Sequence, residues 1–130
     1  MWREWLYATL SQNSDVTDIF GSRIFGASSA EGKKQIKPFI LLRTGAENPE
    51  LEGDDAPATS SQFATVWLHD EPGSYIQIDN GLEVVREALL SPALVGSGIA
   101  CRWLGDSAEF ADESFGTITR NGSYQLIRSK

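Results

Sequence analysis

The sequence predicts an α+β fold in a single domain, an antiparallel or mixed β-sheet with helices packed on one face, in the order α-β-β-α-β-β. Three observations predict it. Val66–Leu90 changes hydrophobic period at Pro72-Gly73, from strand to helix, with Tyr75, Ile78, Leu82, Val85 and Leu89 recurring on one helical face. Pro38–Thr44 (PFILLRT) is a continuous apolar run of strand length, and Thr117–Arg128 is rich in strand formers. At 130 residues, 41% of them hydrophobic and 22% charged, the chain is long enough for one ordinary globular core.

The elements follow in order. Trp2–Gln12 is a first helix, with Trp2, Trp5, Leu6 and Leu10 spaced for one face. Asn13 and Ser14 break it, and Ser14 or Asp15 caps a short second turn, DVTDIF, that ends at Gly21. Arg23–Phe25 is a brief apolar touch-down, and Ala27–Lys37 is small and polar enough to be a flexible loop. The run opened by Pro38 does not alternate, so it reads as a strand buried on both faces. Gly45–Ser61 has five acids and two prolines in seventeen residues and reads as an exposed excursion between two paired strands.

Gln62–His69 alternates, with Phe63, Thr65 and Trp67 on one face and Ala64, Val66 and Leu68 on the other. Ser74 and Gln77 fit a capping box for the central helix, and Pro92 stops it. Ile99–Leu104 (IACRWL) is a third strand, and Gly105–Phe115 a second acidic loop. Asn121-Gly122 is a hairpin signal that splits the last segment into two short arms, or else a bulge in one long strand. The arms of such a hairpin are short and weakly patterned, which favours the long strand. The helices are expected to cover one sheet face and leave the other, with its Thr, Arg and aromatic residues, open to a partner.

Charge and composition bound the function. A net charge of −7 and a pI near 4.6 argue against a stable grip on nucleic acid, which needs clustered Lys and Arg. No apolar run approaches the ~20 residues of a membrane span, and the N-terminus lacks a signal pattern, so synthesis in the cytoplasm is expected. A lone cysteine, Cys101, forms no internal disulfide, and with a single histidine, His69, most metal and triad chemistry lacks its ligands.

His69-Asp70-Glu71 places an imidazole beside carboxylates, but neighbouring strand residues point to opposite faces, so a strand-end polar cluster is the simpler reading. Asp54-Asp55 and Asp106–Glu113 lack the alternating acids and central glycine of a calcium loop. Ser107 and Ser114 have no base nearby, and Gly96-Ser97-Gly98 follows a helix where a phosphate loop would precede one. Cys101, mid-strand among apolar neighbours, reads as a buried thiol. Neither a catalytic constellation nor a cofactor site is predicted, and the chain is not expected to be an enzyme.

Four pieces in order carry a resemblance: FGSRIF (Phe20–Phe25), PFILLR (Pro38–Arg43), VWLHDEPGSYIQIDNGLEVVREAL (Val66–Leu89) and CRWLGDS (Cys101–Ser107), followed by a Thr/Arg/Tyr strand. Together they resemble the tail terminator, or tail completion, proteins of long-tailed bacteriophages, also described as minor tail or neck proteins. The resemblance spans nearly the whole chain and rests on order and spacing. It implies a virion protein assembled as a ring, usually a homohexamer, on the head-proximal end of the tail tube. Such a ring stops polymerisation of the tail tube protein and offers a surface to the head-tail connector or stopper protein. DNA passes through its lumen, and no membrane is involved.

Six copies at −7 each bring about −42, which would keep DNA from sticking in transit. Candidate interface or lumen residues are Glu50, Glu52, Asp54, Asp55, Asp106, Glu109, Asp112 and Glu113, and candidate subunit-contact aromatics are Trp2 and Trp5. The alternatives are a head-completion or connector adaptor of the neck, and a small acidic protein that binds or inhibits a partner as a monomer.

Overall fold

The computed structural model describes residues 2–26, 37–50, 59–90, 99–112 and 116–129. Along them run α1 (Trp2–Ser11), α2 (Ser14–Phe20), β1 (Ile24–Gly26), β2 (Phe39–Glu50), β3 (Thr59–Asp70), α3 (Tyr75–Leu89), β4 (Ile99–Asp106), β5 (Phe110–Asp112) and β6 (Thr117–Ser129). The strands form one mixed sheet in the order β1-β2-β3-β6-β4, with β5 on the same side of β6 as β4. Only β1 and β2 run parallel; the other pairings among the described strands are antiparallel. The expected α+β architecture, with helices on the sheet, is the one observed.

The helices share one core with one sheet face. Leu6 and Leu10 of α1, Val16 and Phe20 of α2, and Ile78, Leu82, Val85 and Leu89 of α3 pack with Ile40, Leu42, Val66, Leu68, Tyr124 and Leu126 of the sheet. The cap of α2 is Asn13 rather than Ser14 or Asp15: its Oδ1 accepts from the backbone N–H groups of Asp15 (3.0 Å) and Val16 (3.1 Å). Gly21, at a φ of 57°, ends α2 with its N–H donated to Thr17 O. On α3 the expected capping box does not form. Ser74 is the N-cap but makes no side-chain cap bond, because its backbone (ψ 48°) lies outside the extended region from which a serine hydroxyl reaches the free amides. Tyr75, expected on the buried face, is exposed, and burial begins at Ile78.

Two loop expectations are corrected. Both ends of Gly45–Ser61 are strand: β2 runs to Glu50, β3 starts at Thr59, Glu47–Glu50 pair with Thr59–Gln62, and residues 51–58 lie outside the described chain. An irregularity between Thr44 and Glu47 absorbs one extra residue, Gly45 and Ala46 standing against Phe63, and Pro49 sits beyond the stretch of β2 that pairs with β1. Acidic composition marks exposure, but a hairpin backbone pairs without apolar side chains, and here β6 pairs with β3 from Thr59 to Asp70.

The second acidic loop also shrinks. Gly105 and Asp106 finish β4, and Phe110–Asp112 is β5. Asn121-Gly122 lies inside one continuous β6, opposite Trp67 and Val66. The hairpin reading is therefore excluded. The irregularity sits instead on the partner strand, between Trp103 and Gly105 of β4, leaving Leu104 as the extra residue. Touch-down residues Arg23–Phe25 contribute to β1, and the loop expected at Ala27–Lys37 lies outside the described residues except for Lys37.

Candidate functional site: an open sheet face

Strand alternation sorts the sheet into two faces. Ala64, Val66 and Leu68 of β3 point to the helices; Phe63, Thr65, Trp67 and His69 point away. Register adds the rest of the open face. Arg43 and Ser123 flank Thr65, and Gln125 lies between Phe63 and Arg102. Phe110 stands opposite Thr119 and meets Trp67 edge-on, at 5.5 Å and 84°.

One end of this face is filled. Phe39 and Leu41 are buried there with Phe25 and Trp67 against them, and the Phe39 ring stacks flat on His69 at 4.7 Å. His69 is itself buried, with Nδ1 2.8 Å from Thr117 Oγ1. Desolvation pushes its pKa down to about 4, against a smaller upward pull from Asp112, so the ring is neutral at physiological pH. The other end is open. Phe63 is 50% exposed there, and Arg43 and Arg102 are exposed with it, while Phe110, 45% exposed, stands at the filled end in the row of Phe39, His69 and Thr119.

On the helix side the polar groups are held by one another. Arg86 of α3 lies 4.4 Å from the Trp103 ring centroid and 3.5 Å from Asp106 Oδ2, while Trp103 Nε1 donates to Asp106 Oδ1 at 3.0 Å. Arg120 of β6 donates to Asp79 (2.6 Å) and to Ser107 O (2.9 Å), tying the start of α3 to the end of β4. Among the described side chains the exposed charges of the helices are acidic: Glu4, Asp15, Asp18, Asp79, Glu83 and Glu87.

The residues singled out in the sequence separate into groups. Glu52, Asp54, Asp55 and Glu113 lie outside the described residues, and so does the side chain of Glu50, the last residue of β2. Asp106 is not in a loop: it ends β4, half-buried, with its carboxylate engaged by Trp103 and Arg86. Glu109 is exposed between β4 and β5, and Asp112 is half-buried in β5 opposite Thr117. Trp5 packs against the core of its own chain; the side chain of Trp2 lies outside the described residues.

Burial pushes the Cys101 thiol up to about 12, so it is protonated and a poor nucleophile. His69 and Asp70 face opposite sides of the sheet, as adjacent strand residues must. Among the described residues no group of three or more His, Cys, Asp or Glu could hold a metal ion, and no helix is long and apolar enough to cross a membrane.

No family model matches the sequence, and no curated protein matches it. Among solved structures the chain is similar to the gp17 protein of bacteriophage SPP1, with a TM-score of 0.54 at 13% identity, over 98% of this chain and 87% of that one. At that identity the likeness is one of fold.

Proposed function

We propose that this protein is a structural component of a bacteriophage virion, a tail terminator at the joint between head and tail. It assembles there as a ring of six copies on the head-proximal end of the tail tube, stops growth of the tube and presents a surface to the connector. It acts by shape and charge, and makes or breaks no covalent bond. The observation that carries the reading is the fold shared with a bacteriophage protein along almost the whole of both chains. The order of sequence pieces that resembles tail terminators supports it independently, as does a sheet face with exposed aromatic and cationic side chains, suited to contacts with protein.

The test is to mix the purified chain with growing tail tubes and image them in negative stain. Tubes of arrested length with a collar at one end are expected. Tubes that lengthen unchecked, with bare ends, would remove the proposal. Binding to portal-side protein in place of tube ends would move the chain to the other side of the joint, as a head-completion adaptor.

A further inference from the structure

The two faces of this molecule differ in charge. On the open sheet face the exposed, described side chains include Phe63 with Arg43 on one side and Arg102 across Gln125 on the other, while Phe110 and the half-buried Asp112 stand at the far end, opposite Thr119 and Thr117. Among the described side chains of the helix layer the exposed charges are the six acids named above, Asp79 being paired with Arg120, and Tyr7, Tyr75 and Ile76 are exposed there too. Arg86, the cation among the described helical side chains, is half-buried over Trp103.

We propose that the open sheet face of one copy docks on the acidic helix layer of the next, and that this head-to-tail contact closes the ring; the inference rests on the ring reading above. Charge decides the geometry. Two copies at −7 each repel unless a positive patch meets a negative one. A two-fold pairing of sheet faces sets Arg43 and Arg102 against their own copies, and a two-fold pairing of helix layers sets acids against acids. Only the heterologous arrangement joins unlike faces, and heterologous contacts form rings when the rotation closes. The residue types agree with the charges: arginine and aromatic side chains are those enriched at interface centres. The helix layer offers Tyr7, Tyr75 and Ile76 as their apolar counterparts.

A charge swap tests this in the full-length chain. R43E/R102E makes the sheet face acidic, and E83K/E87K makes the helix layer basic. Sedimentation of the wild type, each double variant and their equimolar mixture, with and without tail tubes, reads the assembly, and circular dichroism checks each fold. Each variant alone should associate about a hundredfold more weakly than wild type, because like charges then face one another. The mixture should recover, since each variant's faces now match the other's, and alternation closes in a ring of even number. Wild-type assembly should also weaken as salt rises.

Either variant assembling as wild type does, or a mixture of folded variants that fails to recover, overturns the contact while leaving the ring. A wild type that never assembles, even on tubes, overturns the ring reading and the contact together. Binding of a single-stranded oligonucleotide that R43E/R102E abolishes, with assembly untouched, would make the sheet face a nucleic-acid surface and would also overturn it.

Discussion

Replacing Gly81 with alanine sets two effects of opposite sign against each other, and the geometry decides between them. In an exposed helix interior the change gains about 1 kcal/mol from helix propensity. Here, however, a Cβ at position 81 would stand 2.8 Å from Leu68 Cδ2 and 2.9 Å from Phe20 Cζ. Carbon atoms prefer about 3.5–4 Å, so each neighbour must retreat by more than about half an ångström. Neither has anywhere to go, since Leu68 is 0% and Phe20 2% exposed in the central core. Overpacking of this kind costs about 1–3 kcal/mol. Net destabilisation of about 1 kcal/mol is expected, read in urea from a lower midpoint at unchanged slope. Asn80→Ala, one residue away on the exposed side, lacks the clash and should gain about 0.5 kcal/mol. Leu68→Ala should cost about 2–5 kcal/mol, and in that background Gly81→Ala should become stabilising, because its methyl enters the vacated space. A G81A protein that gains as much as N80A would refute the close approach of α3 to the sheet.

The remaining predictions concern polar groups. His69 is held neutral, with its pKa lowered from 6.5 to about 4, so the unfolded chain takes up a proton first as pH falls. Its contribution is fully present above pH 6.5 and is lost on the way down to about 4, for about 3 kcal/mol in the limit; His69→Gln should flatten that part of the stability–pH curve. Asp70 acts in the opposite sense, since burial raises its pKa and the fold binds that proton more tightly; Asp70→Asn should therefore steepen the loss at the acid end of the same titration. The Tyr124 hydroxyl is buried with no hydrogen-bond partner among the described residues, so Tyr124→Phe should be neutral or stabilise by up to about 1 kcal/mol in a thermal melt. Arg120→Ala and Asp79→Ala should each cost about 1 kcal/mol and fall short of additivity by about 0.5 kcal/mol, their bond being half-exposed.

How much of this could be read from the sequence depended on whether side-chain pattern or backbone pairing defines the element. The first two helices, the joint at Pro72-Gly73 and the alternation of Gln62–His69 are written in hydrophobic period, and all of them form. The distal half of the β2–β3 hairpin is not: its residues are acidic and small, and its strand state comes from pairing with β6 beyond the core. Asn121-Gly122 carries a turn signal inside the long strand that the sequence favoured, and the strand forms. Gly122 makes no turn; it leaves room over β6, since a Cβ there would lie 3.1 Å from both Tyr124 and Asp106. The three-residue strands β1 and β5 are too short for any period. Alternation did place Phe63 and Trp67 on an uncovered face. That Arg43 and Arg102 share it needed the strand order, because Leu41–Arg43 does not alternate in sequence and β4 reaches β3 only through β6.

A two-layer α/β sandwich leaves one side of its sheet without helices, and that side must be polar, filled, or completed by another molecule. This protein divides the task along the strands. Near Phe39 the face is closed with aromatic stacking and a neutral histidine bound to Thr117, at the cost of acid stability. Four residues further along β2, at Arg43, and six along β3, at Phe63 with Arg102 across β6, it is left apolar and cationic in a chain whose overall charge is −7. Solubility alone gives no reason to place an exposed phenylalanine among arginines on an otherwise acidic molecule. The proposed contact gives one: the face would meet the acidic back of an identical neighbour, and because face and back lie on opposite sides of the same sheet, every copy added would leave the same surface for the next until a ring closed.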